Sequence, residues 1–322
     1  MNLLVTGGSG FVGQALLRLL TSKNIPFKSA IRNASSAPVK SRDIFVGSID
    51  DATDWSVPLK NVDVVVHLAA RAHIMNDETA DPVAEYRRVN TEGTLNLARQ
   101  ATDAGVCRFI FVSSVKVYGE STTGIPPYSE QSALGTEDPY GLSKKEAEVK
   151  LKALGEQSGM EVVIIQPPLV YGAGVKANFL NLIKMADTSL PLPFRAIHNN
   201  RSMVCLGNLV DFIVHCLDHQ AAANETFLIS DGDDLSLSDL VSVIRKHLGR
   251  QRHLFSVPPY LFRALASLLG KSGVVDRLIG DLQVDSSKAR KLLGWQPPFS
   301  VEQGISETVS GYLKTKSLKG KL

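Results

Sequence analysis

Tyr140 and Lys144 stand four residues apart, with Ser114 ahead of them in the chain. Four residues is one helical turn, so the phenol and the ammonium would share a helix face. A free phenol has a pKa of ~10, too high for a base at neutral pH. A neighbouring ammonium stabilises the phenolate and makes proton transfer practicable. A second group of residues, Gly7-Gly8-Ser9-Gly10-Phe11-Val12-Gly13, follows the apolar run Leu3-Leu4-Val5 and opens an amphipathic stretch over 15–20. A strand that turns sharply into a helix can seat a pyrophosphate on free N–H groups and on the positive end of the helix dipole. Side chains in that turn would block close approach of the backbone, which is why glycine is used there. The order and spacing of the two groups point to a bound nicotinamide dinucleotide and a proton moved beside it.

These residues need elements to hold them. Short apolar runs fall at 3–6, 27–31, 43–46, 62–68, 109–113 and 162–166. Several are near-continuous in Val, Ile, Leu and Phe, as parallel strands covered on both faces require. Helical patterns lie between them, notably over 83–104 and 140–158. Alternating β and α elements predict an α/β fold, a doubly wound parallel sheet of the Rossmann type, with ligands at the carboxyl ends of its strands. Beyond Gln166 the pattern is less regular. Pro167, Pro168, Gly172 and Gly174 mark one loop, and Pro191 and Pro193 another. Helices are expected over 206–219 and 237–248. Residues 1–170 are expected to form the dinucleotide-binding domain, with 203–230 returning to it. Residues 171–202 and 231–322 would form a smaller C-terminal substrate-binding lobe. The apolar segment from Pro258-Pro259 through Leu269 contains Arg263 and is short, so it predicts a core helix of that lobe rather than a membrane-associated one.

The chain has 322 residues and a net charge of +3, with no basic stripe interleaved with aromatics, so nucleic acid is not an expected partner. No run approaches the ~20 apolar residues that span a bilayer. The glycines interrupt any apolar leader at the N-terminus, and the expected location is cytoplasmic, without membrane insertion. Lys314, Lys316, Lys319 and Lys321 read as a solvated basic tail. Cys107, Cys205 and Cys216 are odd in number and unpaired in spacing, and are expected to be small buried residues in a reducing compartment. His215 and His219 lie near Asp211 and Asp218, but no third ligand is evident and no metal is expected.

Taken as an ordered set, the residues resemble the extended short-chain dehydrogenase/reductase family, in particular its nucleotide-sugar members. The matching pieces are Gly7/Gly10/Gly13, His67-Leu68-Ala69-Ala70, Asn90-Thr91-Glu92-Gly93-Thr94, Ser113-Ser114 with Val117-Tyr118-Gly119, Tyr140 and Lys144, Val170-Tyr171-Gly172, and Gly294-Trp295 with Pro297. UDP-hexose 4-epimerases and UDP-4-keto-sugar reductases of surface-polysaccharide synthesis look closest. The resemblance implies that Tyr140 exchanges the proton of the sugar 4-hydroxyl, Lys144 stabilises its phenolate and Ser114 orients the hydroxyl. It implies contacts to the dinucleotide from Gly7, Gly10, Phe11, Val12, Gly13, Arg32, Ser48, Ile49, Leu68, Ala69, Ala70, Asn90, Tyr140, Lys144 and Pro167. It implies substrate contacts from Ser114, Lys116, Asn178, Phe179, Arg201 and Arg277, the arginines on the diphosphate, whose oxygens match guanidinium forks.

Three departures carry information. Family 4,6-dehydratases place Asp-Glu after the catalytic Ser/Thr, where this chain has Val115 and Lys116, so dehydration is disfavoured. NAD-selective members carry an acid about 20 residues after the glycines. Here Ile31-Arg32-Asn33 stands there, so the cofactor is expected to be NADP(H) or NAD(H), with a preference for NADP. Gln166 replaces an arginine often seen before the proline of the following loop. The leading expectation is reduction of a UDP-4-keto-6-deoxy-N-acetylhexosamine. A UDP-glucose or UDP-N-acetylglucosamine 4-epimerase with tightly bound NAD is the alternative. A reductase of a non-nucleotide carbonyl compound and a non-catalytic dinucleotide sensor or scaffold are more distant ones. Family relatives are often dimers, so a homodimer is an open assembly.

Overall fold

Apolar runs without alternation fold as strands buried on both faces, and they form the centre of a seven-stranded parallel sheet. The computed structural model describes residues 1–32, 42–72, 81–251, 253–268, 270 and 272–319; Asn33, Leu269 and Lys321, named above, lie outside the described residues. In chain order the elements are β1 (Leu3–Thr6), α1 (Phe11–Ser22), β2 (Phe27–Ile31), β3 (Asp43–Phe45), β4 (Val64–His67), α2 (Pro82–Tyr86), α3 (Gly93–Asp103), β5 (Arg108–Val112), α4 (Pro139–Ser158), β6 (Glu161–Gln166) and β7 (Leu169–Tyr171). There follow α5 (Ala177–Ala186), β8 (Met203–Cys205), α6 (Leu206–His215), β9 (Thr226–Leu228), α7 (Leu237–His247), α8 (Pro259–Leu268), α9 (Ser272–Ile279), α10 (Ser287–Leu293) and α11 (Val301–Lys319).

The sheet runs β3-β2-β1-β4-β5-β6-β9, all parallel. Strand order reverses between β1 and β4, which opens a crevice at their carboxyl ends. Successive residues point to opposite faces, and the packing follows that period. Leu3, Val5, Val64, Val66, Ile110, Val163 and Ile165 pack with α1 and α6 on one face. Leu4, Val65, Phe109, Phe111, Val162 and Ile164 pack with α3 and α4 on the other. A separate core holds Tyr171, Phe179, Met203, Val241 and Ile305, around the two-stranded sheet of β7 and β8.

Several expectations need correction. The stretch over 83–104 is helical, but a π-turn over Arg87–Glu92 separates α2 from α3, and its wider turn carries Asn90 and Thr91 inward. Helix α6 ends at His215 rather than 219; the chain turns there and buries Cys216 and Leu217. Cys107 is exposed at the entry to β5, whereas Cys205 and Cys216 are buried. Helix α8 is not a core helix. Of its apolar residues Ala266 is buried, while Tyr260, Leu261, Leu265 and Leu268 face outward. It is a peripheral helix, held through the half-buried Phe262 stacked on Phe194.

Candidate active site

The site is built from turns at the carboxyl ends of β1, β4, β5 and β6. After β1 the chain enters Gly7 at φ +71°, a left-handed conformation that favours glycine. A Cβ on Gly7 would stand 2.7 Å from the Ala69 nitrogen and 2.8 Å from the Leu68 carbonyl carbon. One on Gly13 would overlap the Gly7 carbonyl and lie 2.7 Å from the Gly8 Cα. The turn closes through Gly10 N–H donating to the Gly7 carbonyl at 2.9 Å. Gly10 caps α1 without a side-chain hydrogen bond, so the first-turn amides are left to an anion. Phe11 and Val12 lean on the sheet core. These glycines form a cradle that any side chain would fill, and a dinucleotide pyrophosphate fits it.

Leu68, Ala69 and Ala70 line the same crevice after β4, half-buried. Beneath them His67 is fully buried between the Thr6 hydroxyl (2.7 Å) and the Thr94 hydroxyl (2.9 Å). Burial, and then the charge of Lys144, push its pKa down to about 3, so it is neutral. Asn90 is a brace: its Oδ1 accepts from Arg71 N at 2.7 Å, and its Nδ2 donates to the Arg71 carbonyl and the Ser143 hydroxyl, each at 3.0 Å. Ile49 is buried where Gly93 lets α3 approach it, while Ser48 is exposed and donates to Asp50 at 2.9 Å. Arg32 is exposed just after β2.

Ser114 follows β5 and caps a short turn, accepting from Lys116 N at 3.2 Å. Helix α4, which carries Tyr140 and Lys144, begins at Asp138-Pro139, where Asp138 accepts from Gly141 N at 2.9 Å. A Cβ on Gly141 would stand 2.6 Å from the Lys116 carbonyl, so the first turn of α4 lies directly on the Ser114 turn. Lys144 is buried, its Nζ donating to the Val112 carbonyl at 2.9 Å and lying 4.2 Å above the Phe111 ring. Burial, opposed by Glu148, pushes it down to about 7. Tyr140 meets the Tyr86 ring edge-on at 6.2 Å. Burial, Asp138 and Tyr86 together hold its phenol well above the usual range. On the β6 side, the Pro167 carbonyl accepts from Val115 N at 3.0 Å and pins the Ser114 turn to the next loop.

The expected substrate residues fall into two groups. Lys116 and Arg277 meet at Glu120: Lys116 Nζ lies 2.7 Å and Arg277 NH1 3.5 Å from its carboxylate. Lys116 also lies 3.4 Å from Asp138. Arg201, largely buried and donating to the Gly280 carbonyl at 3.0 Å, feels the charges of Asp281 and Glu120. Two cations thus meet on one carboxylate beside the Ser114 turn, and Arg201 lies within electrostatic reach of the same carboxylate. Asn178 is exposed on α5, away from this cluster's hydrogen bonds. Phe179 turns into the lobe core, stacked on Tyr171 at 5.4 Å, so its side chain is not free for a substrate. Sequence reasoning missed Glu120, Asp138 and Glu148. Asp138 had a signal, an acid before a proline that opens a helix. Glu148 had one too, a carboxylate one turn beyond Lys144. Among the described residues no group of three or more His, Cys, Asp or Glu could hold a metal. Asp211 is spent on the Trp295 indole at 2.9 Å, and His215 lies 3.1 Å from the Leu293 carbonyl.

A glycine cradle at a strand-order switch, beside a tyrosine–lysine couple, defines a dinucleotide-dependent α/β enzyme. The chain belongs to the NAD dependent epimerase/dehydratase family, whose model matches residues 3–230. It is 48% identical over 321 residues to the UDP-glucose 4-epimerase of Vibrio cholerae, covering 98% of this chain and 97% of that one. It is 28% identical to the N-acetyl-alpha-D-glucosaminyl-diphospho-ditrans,octacis-undecaprenol 4-epimerase of Escherichia coli O157:H7, over 96% of this chain and 94% of the relative. The fold is that of the Thermotoga maritima UDP-glucose 4-epimerase crystallised with UDP-glucose, at TM-score 0.77 and 23% identity, over 98% of this chain and 100% of that one. Among the described residues no helix is long and apolar enough to cross a membrane.

Proposed function

We propose that the protein interconverts the C4 epimers of a UDP-linked hexose. The observation that carries this reading is the pair of cations, Lys116 and Arg277, on Glu120, with the largely buried Arg201 within electrostatic reach of it, beside the Ser114 turn. The cations suit a diphosphate, and the Ser114 and Tyr140 turns suit a hydroxyl that must lose and regain a proton. Both relatives quoted are named for 4-epimerisation of a hexose carried on a diphosphate, which supports the same chemistry here. On this reading residues 1–170 with 203–230 bind the dinucleotide, and 171–202 with 231–322 bind the nucleotide sugar.

When bound, the nicotinamide supplies a reversible hydride acceptor at C4. Tyr140 takes the 4-hydroxyl proton and returns it to the opposite epimer. Ser114 holds the oxygen as it changes from hydroxyl to carbonyl. The Lys144 ammonium lowers the cost of the phenolate. Val115 and Lys116, in place of a carboxylic pair, leave no acid to eliminate water. Reduction of a UDP-4-keto sugar is the second reading. It is favoured by Arg32, exposed where NAD-selective members carry an acid, and it uses the same Ser114, Tyr140 and Lys144.

The test gives the purified protein UDP-glucose or UDP-N-acetylglucosamine without reductant, and separately a UDP-4-keto-6-deoxy-N-acetylhexosamine with NADPH or NADH. C4 epimers appearing with no net cofactor consumption support the epimerase. Stoichiometric loss of reduced cofactor with a single 4-hydroxy product establishes the reductase. If Arg32 reads a 2′-phosphate, Arg32→Asp should weaken NADP binding ~10- to 100-fold more than NAD binding. Equal weakening of both would remove Arg32 from cofactor selection.

A further inference from the structure

Lys144 has to remain an ammonium in a place that disfavours one. It is buried, and half of it would be free amine at a pH of about 7. From β5 it is faced by the Phe111 ring and the Val112 carbonyl, from β4 by the neutral His67, and along α4 by Glu148, with Tyr140 one turn before it on the same helix. Glu148 brings the formal negative charge. It is buried one helical turn beyond Lys144 and takes no part in the chemistry described so far.

Its surroundings hold it as an acceptor. Gln166, from β6, donates Nε2 to both carboxylate oxygens, at 3.0 and 2.9 Å. The amide is fixed in that sense because its Oε1 accepts from the buried Tyr118 hydroxyl at 2.8 Å. Turned around, it would set its oxygen against the carboxylate and lose both bonds to Glu148. The Ser113 hydroxyl, after β5, is buried with no other hydrogen-bond partner among the described residues, and it favours the charged form of Glu148. Lys152, a further turn along α4, adds positive charge. Burial, the largest influence, leaves the Glu148 carboxyl above its usual range, and Ser113, Gln166, Lys152 and Lys144 draw it part of the way back toward the charged form. A cation above the Phe111 ring favours the charged form of Lys144 in turn.

We infer that Glu148 is a positioning residue, the buried counter-charge that keeps Lys144 an ammonium, and that the Tyr118–Gln166 chain holds this carboxylate in place and ionised. The inference rests on the reading of Tyr140 and Lys144 as the proton couple. It explains why a glutamine before Pro167 suffices where an arginine is often found: a neutral donor orients the carboxylate without cancelling the charge that Lys144 needs.

The experiment follows Lys144 itself by nitrogen NMR of labelled lysine side chains, its signal assigned by its loss in Lys144→Met. This readout does not depend on turnover, so inactivity toward every UDP-sugar would sink the proposed function and leave this inference standing or falling by itself. Glu148→Gln should lower the Lys144 midpoint by ~1 pH unit, about tenfold in the ammonium-to-amine ratio. Glu148→Asp, which keeps the charge, should restore most of the shift. In the active enzyme the alkaline limb of kcat should move down by the same amount in Glu148→Gln, with the rate below it little changed. If Glu148→Gln does not fold, Gln166→Met removes the orienting donor and should lower the Lys144 midpoint in the same direction. An unmoved midpoint in the folded variants overturns the inference. So does an equal loss of rate at every pH, which marks a purely structural role.

Discussion

At the scale of single residues the reaction centre is set against itself, and its pH behaviour follows from that. Burial, Asp138 and Tyr86 all oppose a phenolate at Tyr140. Lys144 favours it, and Lys116 masks Asp138 from 3.4 Å. Tyr140→Phe keeps the ring and removes the proton, so kcat should fall ~10²–10⁴-fold with dinucleotide affinity nearly unchanged. Near-normal turnover would take Tyr140 out of the mechanism. Lys116→Met unmasks the Asp138 carboxylate. A bare negative charge raises the pH needed to ionise the phenol, so the acid limb of the kcat profile should move upward by ~0.5–1 unit. A limb that stays put, or moves down, would mean that Lys116 does not screen Asp138.

Single elements matter here through how closely they approach one another. Gly141 puts the first turn of α4, which carries Tyr140, on the carbonyl of Lys116 in the turn that follows Ser114. Gly141→Ala would force the Cβ to 2.6 Å from that carbonyl and equally close to the Thr136 hydroxyl. The turns must part by several tenths of an ångström, and kcat should fall ~10-fold or more through misalignment while dinucleotide binding is spared. Kinetics like the parent enzyme's would show that the two turns can separate without cost. This contact was invisible in the sequence, where Gly141 is merely the residue after Tyr140. The central strands were legible because β1, β4 and β5 are near-continuous apolar runs, as parallel strands buried on both faces require. The glycine cradle was legible because its chemistry is local, a strand, a turn and a helix in succession. The outward face of α8 was not, because apolar spacing fixes which residues share a face and says nothing of what that face meets. Glu120 was missed for a similar reason: Lys116 lies only four residues before it, but Arg277 comes from a distant segment, and no local pattern joins the two cations to one carboxylate.

For the whole molecule the question is what ties the large sheet to the lobe that carries Arg201 and Arg277. Asp231, just after β9, is a buried knot between them. It accepts from the Tyr171 hydroxyl of β7 at 2.6 Å, from Cys205 N of β8 at 2.7 Å and from Asn208 of α6 at 2.7 Å. Asn208 carries the tie onward to both the carbonyl and the amide of Phe299, ahead of α11. Asp231→Ala would leave the Cys205 N–H buried without its acceptor, at ~1–3 kcal/mol for the group left unpaired, and would leave the Tyr171 hydroxyl with only the Val301 carbonyl at 3.4 Å and Asn208 with only its Phe299 contacts. Asp231→Asn keeps one acceptor oxygen and should cost less. The glycine cradle sits on the sheet and the arginines on the lobe, so the two halves should not suffer alike. KM for a UDP-sugar should rise several-fold in Asp231→Ala while dinucleotide affinity holds, and the thermal midpoint should drop further in Asp231→Ala than in Asp231→Asn. Calorimetric titration of each ligand, beside melting curves of both variants, separates the effects. Equal weakening of both ligands would place the knot within the sheet's own stability rather than at the joint between the sheet and the lobe.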